Sequence, residues 1–188
     1  MNPTESHIVT VVEGGIARLT LHRPKALNAL SLGMIQAISK ALFAWRDDES
    51  ITHVLMRGIK LDKASGQVEP FGAFCAGGDI KYFHEAVYSK PSDELNRASL
   101  EAFFTEEYTL NHLIHHYPKP VIAFMDGVVM GGGMGLTQGA STRIVTERTK
   151  MAMPETAIGL FPDVGGGYFL SRCANSNIGV GEYLALTG

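Results

Sequence analysis

Apolar residues alternate through residues 7–12 and again through 16–21, with Glu13-Gly14-Gly15 between them. A period of two on either side of a glycine pair predicts a β-hairpin. The period then lengthens. Met34, Ile35, Ile38, Leu42 and Phe43 recur at helical spacing, and Ser31 stands where an N-cap belongs. A short strand follows over 51–57, and the polar, irregular stretch 60–70 is expected to be a surface loop. Residues 71–76 form the next expected strand, ending at glycines, and 79–87 the next helix. A long helical pattern opens at Ser92 or Asp93 and runs to His115; Pro118 and Pro120 stop it. A buried strand is expected over 121–125, with Gly127 turning the chain, a helix over 132–139 despite its glycines, and a strand over 143–147. Helices over 166–173 and 179–186 close the chain, the second with Gly188 as its C-cap. Strands and helices alternate, so the expected class is α/β with a largely parallel sheet. No repeat and no internal boundary interrupts residues 1–188, which are expected to form one core domain.

Composition narrows the function classes. The 188 residues are 45% hydrophobic and 19% charged, as in ordinary globular proteins. A formal charge of −3 offers no basic field for nucleic acid. No apolar run approaches the length that spans a bilayer, so no membrane role is expected. The polar start, Met1 to Ser6, resembles neither a secretory signal nor an arginine-rich transit peptide. The expected location is the cytoplasm, or the mitochondrial matrix if the chain is a processed piece. The ending at a helix junction suits a segment of a longer protein. Two cysteines, Cys75 and Cys173, read as buried thiols, and no Cys/His spacing resembles a zinc site.

The candidate chemistry lies in three glycine-rich stretches. Cys75-Ala76-Gly77-Gly78-Asp79 and Met130-Gly131-Gly132-Gly133-Met134-Gly135 each follow an expected strand and open an expected helix. Free N–H groups there could stabilise negative charge on a carbonyl oxygen, although such clusters also serve as tight turns. In the third stretch, Glu155 and Asp163 stand eight positions apart around the uncharged run Ala157 to Phe161. They could act as acid, base or nucleophile toward an acyl group, or each could cap a helix. His112, His115 and His116 invite a metal reading, but no acid or cysteine completes a site, so a solvated helix end is expected. Phe103, Phe104, Tyr108 and Leu113 are expected in the core; Glu106 and Glu107 alone would read as a solvated face.

Arg23-Pro24-Lys25-Ala26-Leu27-Asn28-Ala29-Leu30, Phe74-Cys75-Ala76-Gly77-Gly78-Asp79-Ile80 and residues 130–135 resemble, in order and spacing, three signature stretches of the crotonase (enoyl-CoA hydratase/isomerase) superfamily. Within it, Phe103-Phe104-Thr105-Glu106-Glu107-Tyr108 and residues 153–170 are most similar to the 3-hydroxyisobutyryl-CoA hydrolase family. The resemblance implies a spiral of ββα turns, here an N-terminal core without the C-terminal helices of longer members. It implies an acyl-CoA substrate, with CoA as part of that substrate and no separate cofactor. It places the oxyanion-binding N–H groups at Gly78 and Gly132 and the hydrolytic acids at Glu155 and Asp163. Glu107 matches a carboxylate that helps hold the substrate. Lys25, Ala26, Leu27, Ala76 and Ile80 match positions lining the CoA moiety. Hydratases resemble this chain at Gly131-Gly132-Gly133 but carry glutamate where Gly135 stands, and glycine where Asp163 stands, so hydrolysis is favoured over hydration. The alternatives are a hydratase or isomerase, or a non-catalytic component of a larger assembly. Superfamily members commonly form trimers or pairs of trimers, which makes a homo-oligomer an expectation to test.

Overall fold

The computed structural model describes residues 7–88, 92–173 and 179–187. Strands β1 (Ile8–Glu13) and β2 (Ile16–Leu21) pair antiparallel, Ile8 against Leu21 and Glu13 against Ile16. Gly14 and Gly15, at φ 57° and 79°, make the turn; left-handed backbone at both positions matches the strand twist. Only Ile8 of β1 is buried, as suits an edge strand, whereas Ala17, Leu19 and Leu21 of β2 are in the core. Helix α1 (Leu32–Arg46) begins at Ser31, whose hydroxyl accepts from the Met34 N–H at 3.3 Å. Met34, Ile35, Ile38, Leu42 and Trp45 form its buried stripe. Phe43, expected on that stripe, points out and is half exposed, because its neighbour Leu42 already holds the inward position.

Strand β3 (His53–Gly58) lies parallel to β2, with α1 as the crossover that a parallel pair requires. The expected loop over 60–70 instead contains a small antiparallel ladder, β4 (Lys60–Leu61) and β5 (Val68–Glu69). Two residues per strand are too few to leave a periodic signal. No continuous strand forms over 71–76, contrary to expectation. The amide of Asn28 and the loop at Leu27 take its backbone groups, leaving one isolated bridge, Cys75 to Val129. Helices α2 (Ile80–Tyr88) and α3 (Asp93–His115) follow, the latter capped by Ser92. Strand β6 (Val121–Met125) joins the sheet parallel to β3. Next come β7 (Val128–Met130), α4 (Gly132–Gln138), β8 (Thr142–Val145) and β9 (Lys150–Ala152). Helices α5 (Gly166–Leu170) and α6 (Val180–Thr187) complete the described chain; the C-cap expected at Gly188 lies outside it.

The main sheet has the order β1-β2-β3-β6-β8, parallel except at the hairpin, and β7 pairs with β9 in a second, smaller parallel sheet. The chain passes from β6 to β7 in the second sheet, returns through α4 to β8 and passes again to β9, giving the expected α/β spiral. The core fills the space between the main sheet, α1 and α3, with Leu19, Met56, Ala123, Ile38, Phe103 and Leu110 fully buried. Cys75 is buried and its thiol donates to the Asn28 carbonyl at 3.2 Å; burial pushes its pKa up to about 12, so it is an unreactive packing group. Cys173, expected to be buried, is only partly so.

Candidate active site

A loop of unusual backbone sets up the first wall of the site. Leu27 and Asn28 both adopt left-handed φ, 49° and 57°. Asn28 is held there because its buried amide donates to the carbonyls of Ile59, Ala73 and Phe74, at 2.8, 2.9 and 3.1 Å. Its oxygen accepts from the Arg23 N–H at 2.9 Å. Arg23 in turn pairs with Asp79 at 2.6 Å, tying the loop to the start of α2. Leu30 N–H donates to Gly77 O and Asp79 N–H to Leu30 O, at 2.8 and 2.9 Å. The Gly78 N–H between them has no acceptor among the described residues. Neither has the Gly132 N–H at the start of α4. The two segments are close: a Cβ built on Gly132 would lie 3.4 Å from Gly78 N, and one on Gly77 would lie 3.7 Å from Gly132 N. Ala76 N–H donates to Leu27 O at 3.0 Å, joining the stretch that contains Lys25, Ala26 and Leu27 to the stretch that runs on to Ile80. Lys25, Leu27 and Ile80 are exposed, and Ala26 and Ala76 are partly buried.

Carboxyl groups form the second wall. Glu155 sits in the 3-10 turn Pro154–Ile158 and is buried, 7% exposed. One of its oxygens approaches Gly131 so closely that a Cβ there would be 2.7 Å away. Its other oxygen is buried without a partner among the described residues. Gly131 also has φ 47° and ψ −119°, a combination for which glycine is suited. Glu107, on α3, is 3% exposed. Its Oε1 overlaps the place a Gly132 side chain would take, and that oxygen too has no hydrogen-bond partner among the described residues. The glycine cluster over 130–135 is therefore a space into which two carboxylates project, as well as a turn, and Gly77 of the other cluster packs against its backbone.

Asp163 does not cap α5 with its side chain. The N-cap is Gly165, and only the Asp163 backbone carbonyl is used, by Gly166 N–H at 2.7 Å. Its carboxylate accepts a hydrogen bond from the Tyr108 hydroxyl at 2.7 Å. Tyr108, expected in the core, is 41% exposed and faces Asp163. Val164 follows at φ 43°, a strained backbone for a β-branched residue, of order 1–3 kcal/mol. Such strain persists where the surrounding structure requires a particular chain path.

The three carboxyls act on one another. Burial, then the charges of Asp163 and Glu155, push Glu107 up to about 8. Burial, then Asp163, raises Glu155. Burial, then the bond to Asp163, raises Tyr108 and keeps it a proton donor. At neutral pH the cluster therefore favours a proton on Glu107.

A cavity of about 1060 Å³ opens beside this cluster, between the C-terminal half of α3, α4 and the segment 161–173. Tyr108, Asn111, Gly135, Asp163 and Val164 are in its wall. Glu107, Glu155, Gly78 and Gly132 are not, so the cavity reaches the carboxyls from the Asp163 side. His112, His115 and His116 are exposed at its rim, with the His116 ring 4.1 Å from that of His112 in a tilted contact and 4.8 Å from that of His115 edge-on. Among the described residues no group of His, Cys, Asp and Glu could hold a metal ion. Sequence reasoning assigned no role to Tyr108 or Asn111. The readable signal was their spacing from Glu107, one and four residues on along a helix, which gathers all three on one side of α3.

The arrangement belongs to a known class. The chain is a member of the enoyl-CoA hydratase/isomerase family, the crotonase fold, which it matches over residues 16–188. It is 49% identical over 170 residues to the mitochondrial 3-hydroxyisobutyryl-CoA hydrolase of Xenopus tropicalis, covering 90% of this chain and 39% of that protein. The Homo sapiens protein of the same name is 45% identical over 170 residues, with the same coverage. Among solved structures, a carnitinyl-CoA dehydratase from Mycobacterium thermoresistibile superposes with a TM-score of 0.80 at 42% identity, over 98% of this chain and 48% of that one. An enoyl-CoA hydratase from Rhodobacter sphaeroides also gives 0.80, at 38% identity, over 97% of this chain and 49% of that one. The chain thus spans about two fifths of the length of these curated relatives. Among the described residues no helix is long and apolar enough to cross a membrane.

Proposed function

We propose that this chain is the core of an acyl-CoA thioester hydrolase acting on 3-hydroxyisobutyryl-CoA or a similar short 3-hydroxyacyl-CoA. The observation that carries the reading is the meeting of two unpaired N–H groups, Gly78 and Gly132, with the buried carboxyls Glu107 and Glu155. In this reading the two N–H groups receive the thioester carbonyl oxygen and stabilise the negative charge that grows there, a contribution of about 3 kcal/mol per donor. Glu155 either attacks the acyl carbon, forming a mixed anhydride that water then opens, or removes a proton from water as it attacks. In both routes the C–S bond breaks, the CoA thiolate takes a proton, and water supplies the new oxygen. A raised pKa makes Glu155 a stronger base than an ordinary carboxylate. Asp163, fixed by Tyr108, orients the water or returns the proton.

Glu107 holds the substrate in its protonated form. A charged Glu107 beside Gly132 would oppose an oxyanion at the same N–H, whereas a neutral carboxyl does not. Lys25, Ala26, Leu27, Ala76 and Ile80 line the path of the CoA moiety along the exposed edge next to Gly78. No metal or redox group enters the reaction, and CoA arrives as part of the substrate. The relatives' names support a mitochondrial setting.

Hydration of an enoyl-CoA is the competing reading, favoured by the names of the solved structures. The resemblance assigns the second hydratase glutamate to Gly135. There a Cβ would lie 2.8 Å from Val164 and 2.9 and 3.0 Å from the Asn111 amide, so the space is already filled. The test is thiol release from 3-hydroxyisobutyryl-CoA by the full-length protein, beside loss of enoyl absorbance from crotonyl-CoA. Thiol release with little hydration is expected. Efficient hydration without thiol release reverses the assignment.

A further inference from the structure

The cavity wall contains an amide that the folded chain leaves unsatisfied. Asn111 lies on α3, four residues after Glu107, about 6 Å further along the helix. Both its nitrogen and its oxygen are buried, and neither has a hydrogen-bond partner among the described residues. Exchanging the two atoms would not change this, since both are unpaired. A buried amide without partners is unfavourable and calls for a ligand. The amide is not filler for an apolar gap. It lies against Gly135, beside Val164, in the same wall as Asp163 and Tyr108. Gln138, one turn of α4 beyond Gly135, adds a second unpaired buried oxygen, and its side chain lines the same cavity.

We propose that Asn111 binds a hydroxyl at the end of the acyl site away from Gly78 and Gly132. A hydroxyl gives a proton and accepts one, which is what an amide free at both ends requires. The proposal rests on the thioesterase reading and extends it to the part of the substrate beyond the carbonyl. Two sources share this chemistry: the 3-hydroxyl of the acyl chain, and the water that attacks or opens the intermediate. Gly135 makes the contact feasible, because any side chain there would displace the amide.

The test uses Asn111→Leu in the full-length protein, which keeps approximate volume and removes both polar ends. Binding of 3-hydroxybutyryl-CoA and of butyryl-CoA is measured by calorimetry in a Glu155→Gln background, and hydrolysis of both with Glu155 intact. If the substrate hydroxyl is the ligand, the variant binds 3-hydroxybutyryl-CoA about tenfold more weakly and butyryl-CoA within about twofold. If water is the ligand, binding of both is kept and hydrolysis of both falls about tenfold. Binding and hydrolysis of both substrates within about twofold of the parent would overturn the proposal; an accompanying rise in Tm would identify Asn111 as a polar group that merely weakens the fold. Asn111→Ala, checked by circular dichroism, replaces the leucine variant if that one fails to fold. A parent protein that binds both thioesters but releases no thiol defeats the thioesterase reading alone, since the binding difference still reports on Asn111.

Discussion

Asp126 and Glu107 are equally buried, 2% and 3% exposed, yet the fold treats their charges in opposite ways. Asp126, after β6, accepts from the Thr146 hydroxyl at 2.5 Å and from two nitrogens of Arg148 at 3.0 and 2.6 Å. Burial opposes its ionisation, but these partners outweigh it and hold its pKa below the ordinary value. Glu107 has no counter-ion among the described residues and keeps an unpaired oxygen, so burial and then the charges of Asp163 and Glu155 raise its pKa to about 8. The first acid joins strands; the second has its bonding capacity left open. Burial of a carboxylate therefore says little by itself. What distinguishes a structural acid from one available to a ligand is whether its lone pairs are already used.

The comparison breaks most directly at Glu155, whose environment resembles that of Glu107. Glu155→Gln is expected to lower kcat for thiol release by ~10²-fold or more with the fold intact, a barrier increase of about 2.7 kcal/mol. Near-parental turnover in a folded variant would remove Glu155 from the chemistry. Asp126→Ala is the counterpart on the structural side. It should reduce unfolding free energy by about 2 kcal/mol in a denaturant titration, while KM and kcat per folded molecule stay near the parental values. A loss of activity without loss of stability would place Asp126 in the functional network instead.

Glu107→Gln sharpens the contrast through pH. The folded state holds a proton on Glu107 up to about pH 8, and the unfolded chain releases it near the ordinary glutamate value of 4.5. Between those values the native state binds more protons, so its stability falls as pH rises. The variant should flatten that decline and be more stable than the parent at pH 8, by about 1 kcal/mol, while binding substrate more weakly. Thermal melts across pH 5–9 read the slope; an unchanged slope would mean that Glu107 is ionised throughout. The smallest effect is expected at Tyr108→Phe, which deletes the bond to Asp163 but leaves all three carboxyls. Turnover should fall about fivefold as Asp163 loses the donor that fixes its orientation. Turnover within about twofold of the parent would assign Tyr108 to packing alone.

Much of the fold was legible because its signals are local. The glycine pair after β1, the Ser31 and Ser92 caps and the apolar stripe of α1 each depend on a few neighbouring residues. The site's composition was legible through ordered motifs: Gly78, Gly132, Glu107 and Glu155 do come together, and the Asp163 charge acts on both glutamates. The misreadings came where tertiary partners replace local ones. Residues 71–76 have the composition of a strand, but Asn28, more than forty positions away, takes two of their carbonyls. Tyr108 has the composition of a core residue, but Asp163, 55 positions on, takes its hydroxyl to the surface.

The sequence by itself determined the alternation of strands and helices, the caps, and which residue types were present to do chemistry. Those properties follow from backbone preference and side-chain period, which act over a few residues. Only the tertiary structure decided which acids are paired and which are not, because a carboxylate's ionisation depends on its neighbours within a few ångströms in space. Asp126 and Glu107 could not be told apart until Arg148 stood beside one and Gly132 beside the other.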